Sequence, residues 1–127
     1  MSGEEAKVLE ERALSFLRNA KRLIEERELD LAAFSVEQSC QLILKQRLLV
    51  KTGTYPRTHS VVRLLRELDT AVPGKGLLKF VDSEMLLLTK VEDAYVVSRY
   101  VPRRYERKEA EALVAFADRL MTVLRDV

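Results

Sequence analysis

The chain has 127 residues, which is enough for one hydrophobic core and short for a second, so we expect a single domain over residues 1–127. The composition is 47% hydrophobic and 33% charged, with four glycines and three prolines, and it favours a folded helical protein over strands joined by tight turns. The net charge of +2 creates no overall basic field that would require nucleic acid as a partner, and one cysteine excludes an internal disulfide.

The N-terminal segment is charged, and the longest uninterrupted apolar run extends only from Ala112 to Ala117. A signal peptide or a membrane span needs a longer apolar stretch, so neither is expected and we predict a cytoplasmic location. The richness in Glu, Arg and Lys, with Asn19 as the single asparagine, favours a thermophilic source.

The first two helices are predicted from apolar periodicity. Residues from Glu4 to about Glu28 carry apolar side chains at steps of three and four, which predicts an amphipathic helix. Asp30 is predicted to cap a second helix, which runs to about Lys51 and stops at Gly53. This second helix is apolar on two opposite sides, so it lies centrally in a bundle or serves its own core and a partner at once.

Turn residues and periodicity predict the remaining elements. A short helix runs from Ser60 to about Leu68, and a loop follows from Asp69 to Gly76. Two long helices complete the chain, one from about Leu77 to Arg99 and the other from about Arg104 to Asp126. Thr58 is predicted to cap the short helix, and Pro102 to end the first of the two long helices. The fold class is therefore all-α: an up-and-down helical bundle of four long helices plus one short helix.

Core and interface residues follow from the same stripes. Phe16, Leu88 and Phe116 lie on the apolar stripes of three different helices and are expected to meet in the core. The second apolar side of helix two exceeds the need of one small core, so we predict a two-fold dimer. The residues expected to contribute to its interface are Leu31, Phe34, Leu42 or Leu49.

A polar seam runs along helix two. Helical spacing aligns four polar side chains on one side of this otherwise apolar helix: Glu37, Gln38, Gln41 and Lys45. Such a seam is a functional surface, a buried polar contact between subunits, or the wet edge of a core helix, and the residues alone do not decide between them.

The densest charge of the chain lies between Arg99 and Lys108, where five basic residues accompany one acidic residue. Guanidinium groups bind phosphates and aromatic rings stack on bases. The candidate ligand-binding residues are therefore Arg99, Tyr100, Arg103, Arg104 and Tyr105, with Lys45 from the polar seam. The alternative, which we favour for a short basic run, is a solvated corner whose arginines pair with Glu106, Glu109 and Glu111.

His59, the only histidine, is the other residue type that could carry chemistry. Paired with an arginine, it could act as the base in metal-free RNA cleavage, with the arginine stabilising the phosphorane. The alternative is a ring that packs over the turn. Because His59 and Cys40 supply one ligand each, no metal site and no cofactor are predicted. Cys40 lies on an apolar face, and we expect a buried, inert thiol.

Three segments together resemble the HEPN domain. They are the helix from Phe34 to Lys45 with Glu37-Gln38, the turn from Tyr55 to Ser60 followed by Leu64-Leu65, and Ser98-Arg99-Tyr100 before the last helix. The resemblance implies an all-α bundle that is commonly dimeric and handles nucleotides or RNA. It also implies a small nucleotidyltransferase as a partner, because many prokaryotes encode the two side by side.

One departure from the HEPN pattern concerns catalysis. HEPN ribonucleases carry an arginine and a histidine separated by four to six residues, and Arg99 of this chain is followed by no histidine in that window. We therefore do not carry over the ribonuclease activity; His59 and Arg99 are weak catalytic candidates whose proximity the sequence does not show.

Three hypotheses follow. The first is a homodimeric HEPN-like binding module, not an enzyme, whose corner around Arg99, Arg103 and Arg104 contacts a nucleotide, RNA or an acidic partner protein. The second is a metal-independent ribonuclease toxin of a toxin–antitoxin pair, which uses Arg99 with His59 and is restrained by the nucleotidyltransferase. The third is a purely structural interaction module.

Overall fold

The computed structural model describes residues 2–127, and within them the chain forms six α-helices, a terminal 3₁₀ helix and no strand. The helices are α1 (Ser2–Glu25), α2 (Leu29–Thr52), α3 (Val61–Ala71), α4 (Leu77–Ser83), α5 (Met85–Tyr100) and α6 (Arg107–Val123), with the 3₁₀ turn at Leu124–Asp126. The predicted all-α class is confirmed. The predicted set of four long helices and one short helix differs in detail, because one long helix is divided into α4 and α5.

Helix α2 is the centre of the bundle. It packs along α1 over much of its length and also contacts α3, α5 and α6. Many of its side chains are buried, among them Val36, Cys40 and Leu44, each with no exposed surface. One of the two predicted apolar sides is therefore buried within the protomer. Of the four residues predicted on the other side, Leu49 is buried against α1, Phe34 and Leu42 are half-buried, and Leu31 is exposed.

The turn between α1 and α2 depends on Arg27. Its φ angle of +62° is left-handed, the conformation that glycine usually supplies after a helix. The backbone N–H of Arg27 donates to Ile24 O at 3.0 Å, and that of Glu28 donates to Leu23 O at 2.9 Å. These two bonds form a Schellman motif. Helix α1 therefore ends at Glu25, before the predicted end.

The predicted cap of α2 by Asp30 is wrong. The N-cap residue is Glu28, whose side chain makes no capping hydrogen bond, and Asp30 lies within the first turn. Its Oδ1 instead accepts the backbone N–H of Tyr105 at 2.9 Å. Asp30 thus ties the start of α2 to the segment between α5 and α6.

The predicted helix from Leu77 to Arg99 is interrupted at Glu84, whose φ and ψ angles of −110° and 15° are not helical. Arg119 of α6 donates to both Glu84 carboxylate oxygens, at 2.6 and 2.9 Å. No glycine or proline stands between Leu77 and Arg99, so the sequence gives no local sign of this break. A side-chain contact with α6 accompanies it.

The ends of α3 and α6 also differ from the prediction. Ser60 caps α3 by accepting Arg63 N–H at 3.1 Å, while the predicted cap, Thr58, accepts the Ser60 N–H. Helix α3 continues to Ala71, so the predicted loop begins later. Helix α6 begins at Arg107, three residues after the predicted Arg104, because Glu106 and Glu109 form a capping box there.

The core joins all six helices. Leu88 and Phe116 are fully buried in its main cluster, as predicted, whereas Phe16 is half-buried and lies outside it. The buried stripe of α1 contains Ala13, Leu17 and Ala20, so Leu17 occupies the place predicted for Phe16. Within residues 2–127, no helix combines the length and the apolar character that a membrane span requires.

Candidate functional site

Glu37 is the buried end of the polar seam. Its side chain has no exposed surface, and its two carboxylate oxygens accept hydrogen bonds from the amides of Gln38, at 2.7 Å, and Gln41. Burial raises the pKa of the Glu37 carboxyl. The two amide hydrogen bonds and the positive charges of Arg99 and Lys45 partly offset this rise. Glu37 is thus a buried acceptor in the field of two cations.

Lys45 is the end of the seam that reaches the surface. Its ammonium group donates to Gln41 Oε1 at 3.2 Å and lies 5.8 Å from the centre of the Tyr55 ring. Partial burial lowers the pKa of Lys45, and the charge of Glu37 opposes this shift. The seam is therefore a hydrogen-bonded network inside one protomer, from Glu37 to Lys45.

Arg99 lies in the last turn of α5 within a frame of three aromatic rings. Its guanidinium carbon is 4.2 Å from the centre of the Tyr95 ring, 4.8 Å from that of Tyr100 and 5.5 Å from that of Phe34. Its Nε–H donates to the Tyr95 carbonyl oxygen at 2.7 Å. In the described part of the chain, no carboxylate forms an ion pair with Arg99. Arg99 thus presents an unpaired cation in an aromatic setting.

His59 and Arg99 both contact the ring of Tyr95. The rings of His59 and Tyr95 are stacked, with centroids 3.9 Å apart and an interplanar angle of 24°. The guanidinium carbon of Arg99 contacts the same ring, so it lies no farther from the His59 centroid than the two distances together, about 8 Å. The structure therefore brings together the two residues whose proximity the sequence left open. We call the surface formed by Phe34, His59, Tyr95, Arg99 and Tyr100 the Arg99 surface.

Two other arginines of the basic segment, Arg103 and Arg107, form ion pairs with carboxylates. Arg103 forms an ion pair with Glu109, which also pairs with Lys90 at 2.7 Å. Arg107 pairs with Glu25 and Glu111, both at 3.0 Å. These contacts follow the alternative prediction of a solvated corner, with Glu109 and Glu111 as partners. Glu109 accepts from the Glu106 backbone N–H, Lys90 and Arg103, which lowers the pKa of its carboxyl to about 2.

Arg104 and Tyr105 differ from Arg103 in their surroundings. Arg104 is exposed and lines a shallow cavity of about 230 Å³ together with Arg27, Glu28 and Asp30, so carboxylates oppose an anion there. Tyr105 is only 6% exposed and belongs to the core, where burial raises the pKa of its phenol. Its ring has no free face for a base, and we do not include it in the candidate site.

Tyr95 of the Arg99 surface and the neighbouring Glu92 are not recognised as site residues from the sequence. The apolar stripe of the helix accounts for Tyr95, and no motif includes Glu92. Glu92, Tyr95 and Arg99 stand at positions i, i+3 and i+7 of α5, which places them on one face of the helix. Polar and aromatic side chains in that pattern, beside an arginine, are the signal that could have identified them.

Two further sequence expectations concern Cys40 and metals. Cys40 is fully buried and unbridged, and burial raises the pKa of its thiol, so it has the environment expected of an inert cysteine. Among residues 2–127, no group of three or more His, Cys, Asp or Glu side chains is placed to hold a metal ion.

Comparison with known proteins gives one family and one similar solved structure. The family model of the HEPN domain matches residues 6–127. The crystal structure of TT1696 from Thermus thermophilus is similar, with a TM-score of 0.78 and 24% sequence identity over 95% of this chain and 96% of that chain. At this identity the similarity concerns the fold alone. No curated protein matches the chain.

Proposed function

The chain belongs to the HEPN domain family, and from that premise we propose that it is a homodimeric binding module for a ribonucleoside phosphate, carried by single-stranded RNA or by a free nucleotide. The observation that carries this proposal is the unpaired guanidinium of Arg99 among the rings of Phe34, Tyr95 and Tyr100, with His59 stacked on Tyr95.

The chemistry of the Arg99 surface suits the two parts of such a ligand. The Nε–H of Arg99 is bonded to the Tyr95 carbonyl, which orients the guanidinium and leaves its terminal amino groups for phosphate oxygens. Tyr100 is 72% exposed, and a base gains free energy by stacking on an exposed aromatic ring. Phosphate and base would therefore contact neighbouring residues of α5.

Dimerisation is part of this proposal. Leu31 is 51% exposed, and Val96 and Tyr100 are also exposed apolar or aromatic residues. Arg99 of α5 contacts the ring of Phe34 of α2. Val96 stands three residues before Arg99, and Leu31 stands three residues before Phe34, so helical spacing places these exposed residues beside the Arg99 surface. A second copy that covers Leu31, Phe34 and Val96 would bring the Arg99 surfaces of both protomers to the interface. Of the four residues predicted for this interface, Leu31, Phe34 and Leu42 retain exposed surface, whereas Leu49 is buried in its own protomer.

A second candidate function is a metal-independent ribonuclease toxin. The separation of at most about 8 Å between His59 and Arg99 favours it, because a base and a phosphorane-stabilising cation must act on one phosphate. The lack of a histidine in the HEPN window after Arg99 speaks against it, so we expect the purified protein to leave single-stranded RNA intact. The partner nucleotidyltransferase implied by the family remains a prediction.

The binding proposal is tested by fluorescence anisotropy with a short labelled oligoadenylate at increasing KCl concentrations. Binding should weaken steeply with salt because bound cations displace counterions. Arg99→Ala should weaken binding by at least about tenfold, the loss expected for one charge-assisted phosphate contact. Arg107→Ala removes the same charge from an arginine already held by Glu25 and Glu111, and it should change the affinity far less.

Two results would contradict the proposal. Equal losses in Arg99→Ala and Arg107→Ala would indicate a non-specific charge effect, and absence of binding at low salt would remove the binding module. The ribonuclease candidate is tested in parallel by incubating the oligoadenylate without metal. Cleavage that survives rigorous purification and disappears in both His59→Ala and Arg99→Ala would replace the binding module with the toxin, whereas cleavage that both variants retain would indicate a contaminating nuclease.

A further inference from the structure

Glu92 of α5 holds the first turn of α3 at two points. Its Oε2 accepts the hydroxyl of Ser60 at 2.6 Å and the backbone N–H of Val62 at 2.9 Å. Ser60 is the N-cap residue of α3, and its Oγ also accepts the N–H of Arg63. A carboxylate from another helix therefore completes the cap of α3, at a helix end where the backbone has unpaired N–H groups and favours negative charge.

This contact lies directly beside the Arg99 surface. His59 is the residue before Ser60, and Tyr95, on which His59 stacks, follows Glu92 by one turn of α5. We infer that Glu92 is a positioning residue, which keeps the His59 ring on Tyr95 by fixing the start of α3 to α5. This inference deepens the proposed function and rests on it for the consequence in ligand binding.

His59 needs such an anchor because its own contacts are few. Residues 53–60 lie outside helices, and His59 is exposed. Within the described residues its side chain makes no hydrogen bond and contacts Tyr95 by stacking. An exposed stack of this kind gains little against the conformational freedom of a loop. Fixing Ser60 and Val62 removes much of that freedom before the ligand arrives, which favours binding.

Loss of the Glu92 charge and loss of its positioning contacts should change the affinity for an anionic ligand in opposite directions. Glu92 carries a negative charge on the same helix face as Arg99. Removing that charge would by itself tighten the binding of an anionic ligand. Weaker binding after loss of the Glu92 carboxylate therefore reports lost positioning. Glu92→Gln removes the charge but keeps an oxygen that can accept from both Ser60 and Val62, so it should retain the wild-type geometry.

The experiment uses proton NMR of the His59 ring, which gives unambiguous signals because the chain has one histidine. Stacking on Tyr95 should shift these signals upfield of their positions in the unfolded protein. We expect Glu92→Ala to lose this shift and to bind oligoadenylate about tenfold more weakly, an effect of lost preorganisation. Glu92→Gln and the control Asp93→Ala, which removes an exposed carboxylate on the next residue, should keep the upfield shift and bind oligoadenylate at least as tightly as the wild-type protein.

The outcomes distinguish the inference from the proposed function. His59 signals that remain unchanged in Glu92→Ala would overturn the inference, whatever the affinity. If neither the wild-type protein nor any variant binds oligoadenylate, the proposed function fails. The His59 signals still decide in that case whether Glu92 positions the ring. If Glu92→Ala does not fold by circular dichroism, Ser60→Ala takes its place. Ser60→Ala removes one of the two contacts of Glu92, and it should move the His59 signals part of the way towards their positions in the unfolded protein.

Discussion

Carboxylates at two places in the bundle have pKa values shifted in opposite directions. Glu37 is buried with amide donors, and its raised pKa means that the ionised form opposes folding at neutral pH. Glu109 has two cationic partners and a backbone donor, and its lowered pKa means that the ionised form supports folding. The difference arises from the partners: amides satisfy the oxygens of Glu37, whereas cations also neutralise the charge of Glu109.

Glu109 leads to a prediction about stability at acidic pH. Its pKa lies at about 2 in the folded protein, below the ordinary value of 4.5. The stabilisation is therefore complete above the ordinary value and is lost as the pH falls from 4.5 towards 2. We expect Glu109→Gln to flatten this part of the stability curve, measured by urea unfolding at several pH values. Equal pH slopes for Glu109→Gln and wild type would contradict the prediction; Glu26→Gln, an exposed position, serves as the control.

Core packing gives a second prediction at this scale. Leu17→Ala, Leu88→Ala and Phe116→Ala should each lower the free energy of unfolding by about 2 to 5 kcal/mol, since each removes a buried side chain and leaves a cavity. Phe16→Ala should cost less than Leu17→Ala because Phe16 is half-buried. Arg103→Ala breaks an exposed ion pair and should cost less than about 1 kcal/mol. Urea unfolding measures all five, and a larger loss for Phe16→Ala than for Leu17→Ala would contradict the assignment of faces in α1.

At the scale of the elements, periodicity predicts the helices, but tertiary contacts and unusual backbone angles set several of their ends. The apolar stripes of α1, α2, α3 and α6 are readable because burial repeats with the helical period. The break at Glu84 accompanies a contact with Arg119, distant in sequence. The end of α1 depends on an arginine in a conformation that glycine usually adopts. Neither the break at Glu84 nor the end of α1 is indicated by a glycine or proline in the local sequence.

The left-handed conformation of Arg27 yields a prediction for the α1–α2 turn. A non-glycine residue at this φ angle carries a steric penalty of about 1 kcal/mol that glycine avoids. Arg27→Gly should therefore raise the free energy of unfolding by about 0.5 kcal/mol after the greater flexibility of the unfolded chain is included. Arg22→Gly, inside α1, should lower it by about 1 kcal/mol. Thermal and urea unfolding compare the two, and a loss of stability in Arg27→Gly would contradict this account of the turn.

At the scale of the whole molecule, the candidate site was only partly predictable from the sequence. The basic segment, the polar seam and the HEPN resemblance indicated Arg99, Lys45 and His59. The stack of His59 on Tyr95 depends on how α3 meets α5, a distance that no spacing in the chain encodes. The roles of Arg103 and Tyr105 also required the fold, because an ion pair and burial remove them from a free binding surface.

Assembly is the prediction that belongs to the whole molecule. We expect light scattering at micromolar concentration to give the mass of a dimer, because Leu31 and Val96 leave apolar surface beside the Arg99 surface that a second copy would cover. Leu31→Asp should shift the mass towards the monomer by placing a charge in that interface. Leu86→Asp, at a residue 87% exposed in the first turn of α5, is the matched control and should leave the mass unchanged. A monomer mass for the wild-type protein would contradict the dimer.

We propose that a ribonucleoside phosphate binds at the Arg99 surface, and NMR titration with oligoadenylate locates the residues that the ligand contacts. The Nε–H signal of Arg99 and the ring signals of His59 should shift together as the oligonucleotide is added, with the largest backbone changes at the end of α5 and the start of α3. Saturable shifts confined to the neighbourhood of Arg104, or no saturable shift at low salt, would contradict the claim.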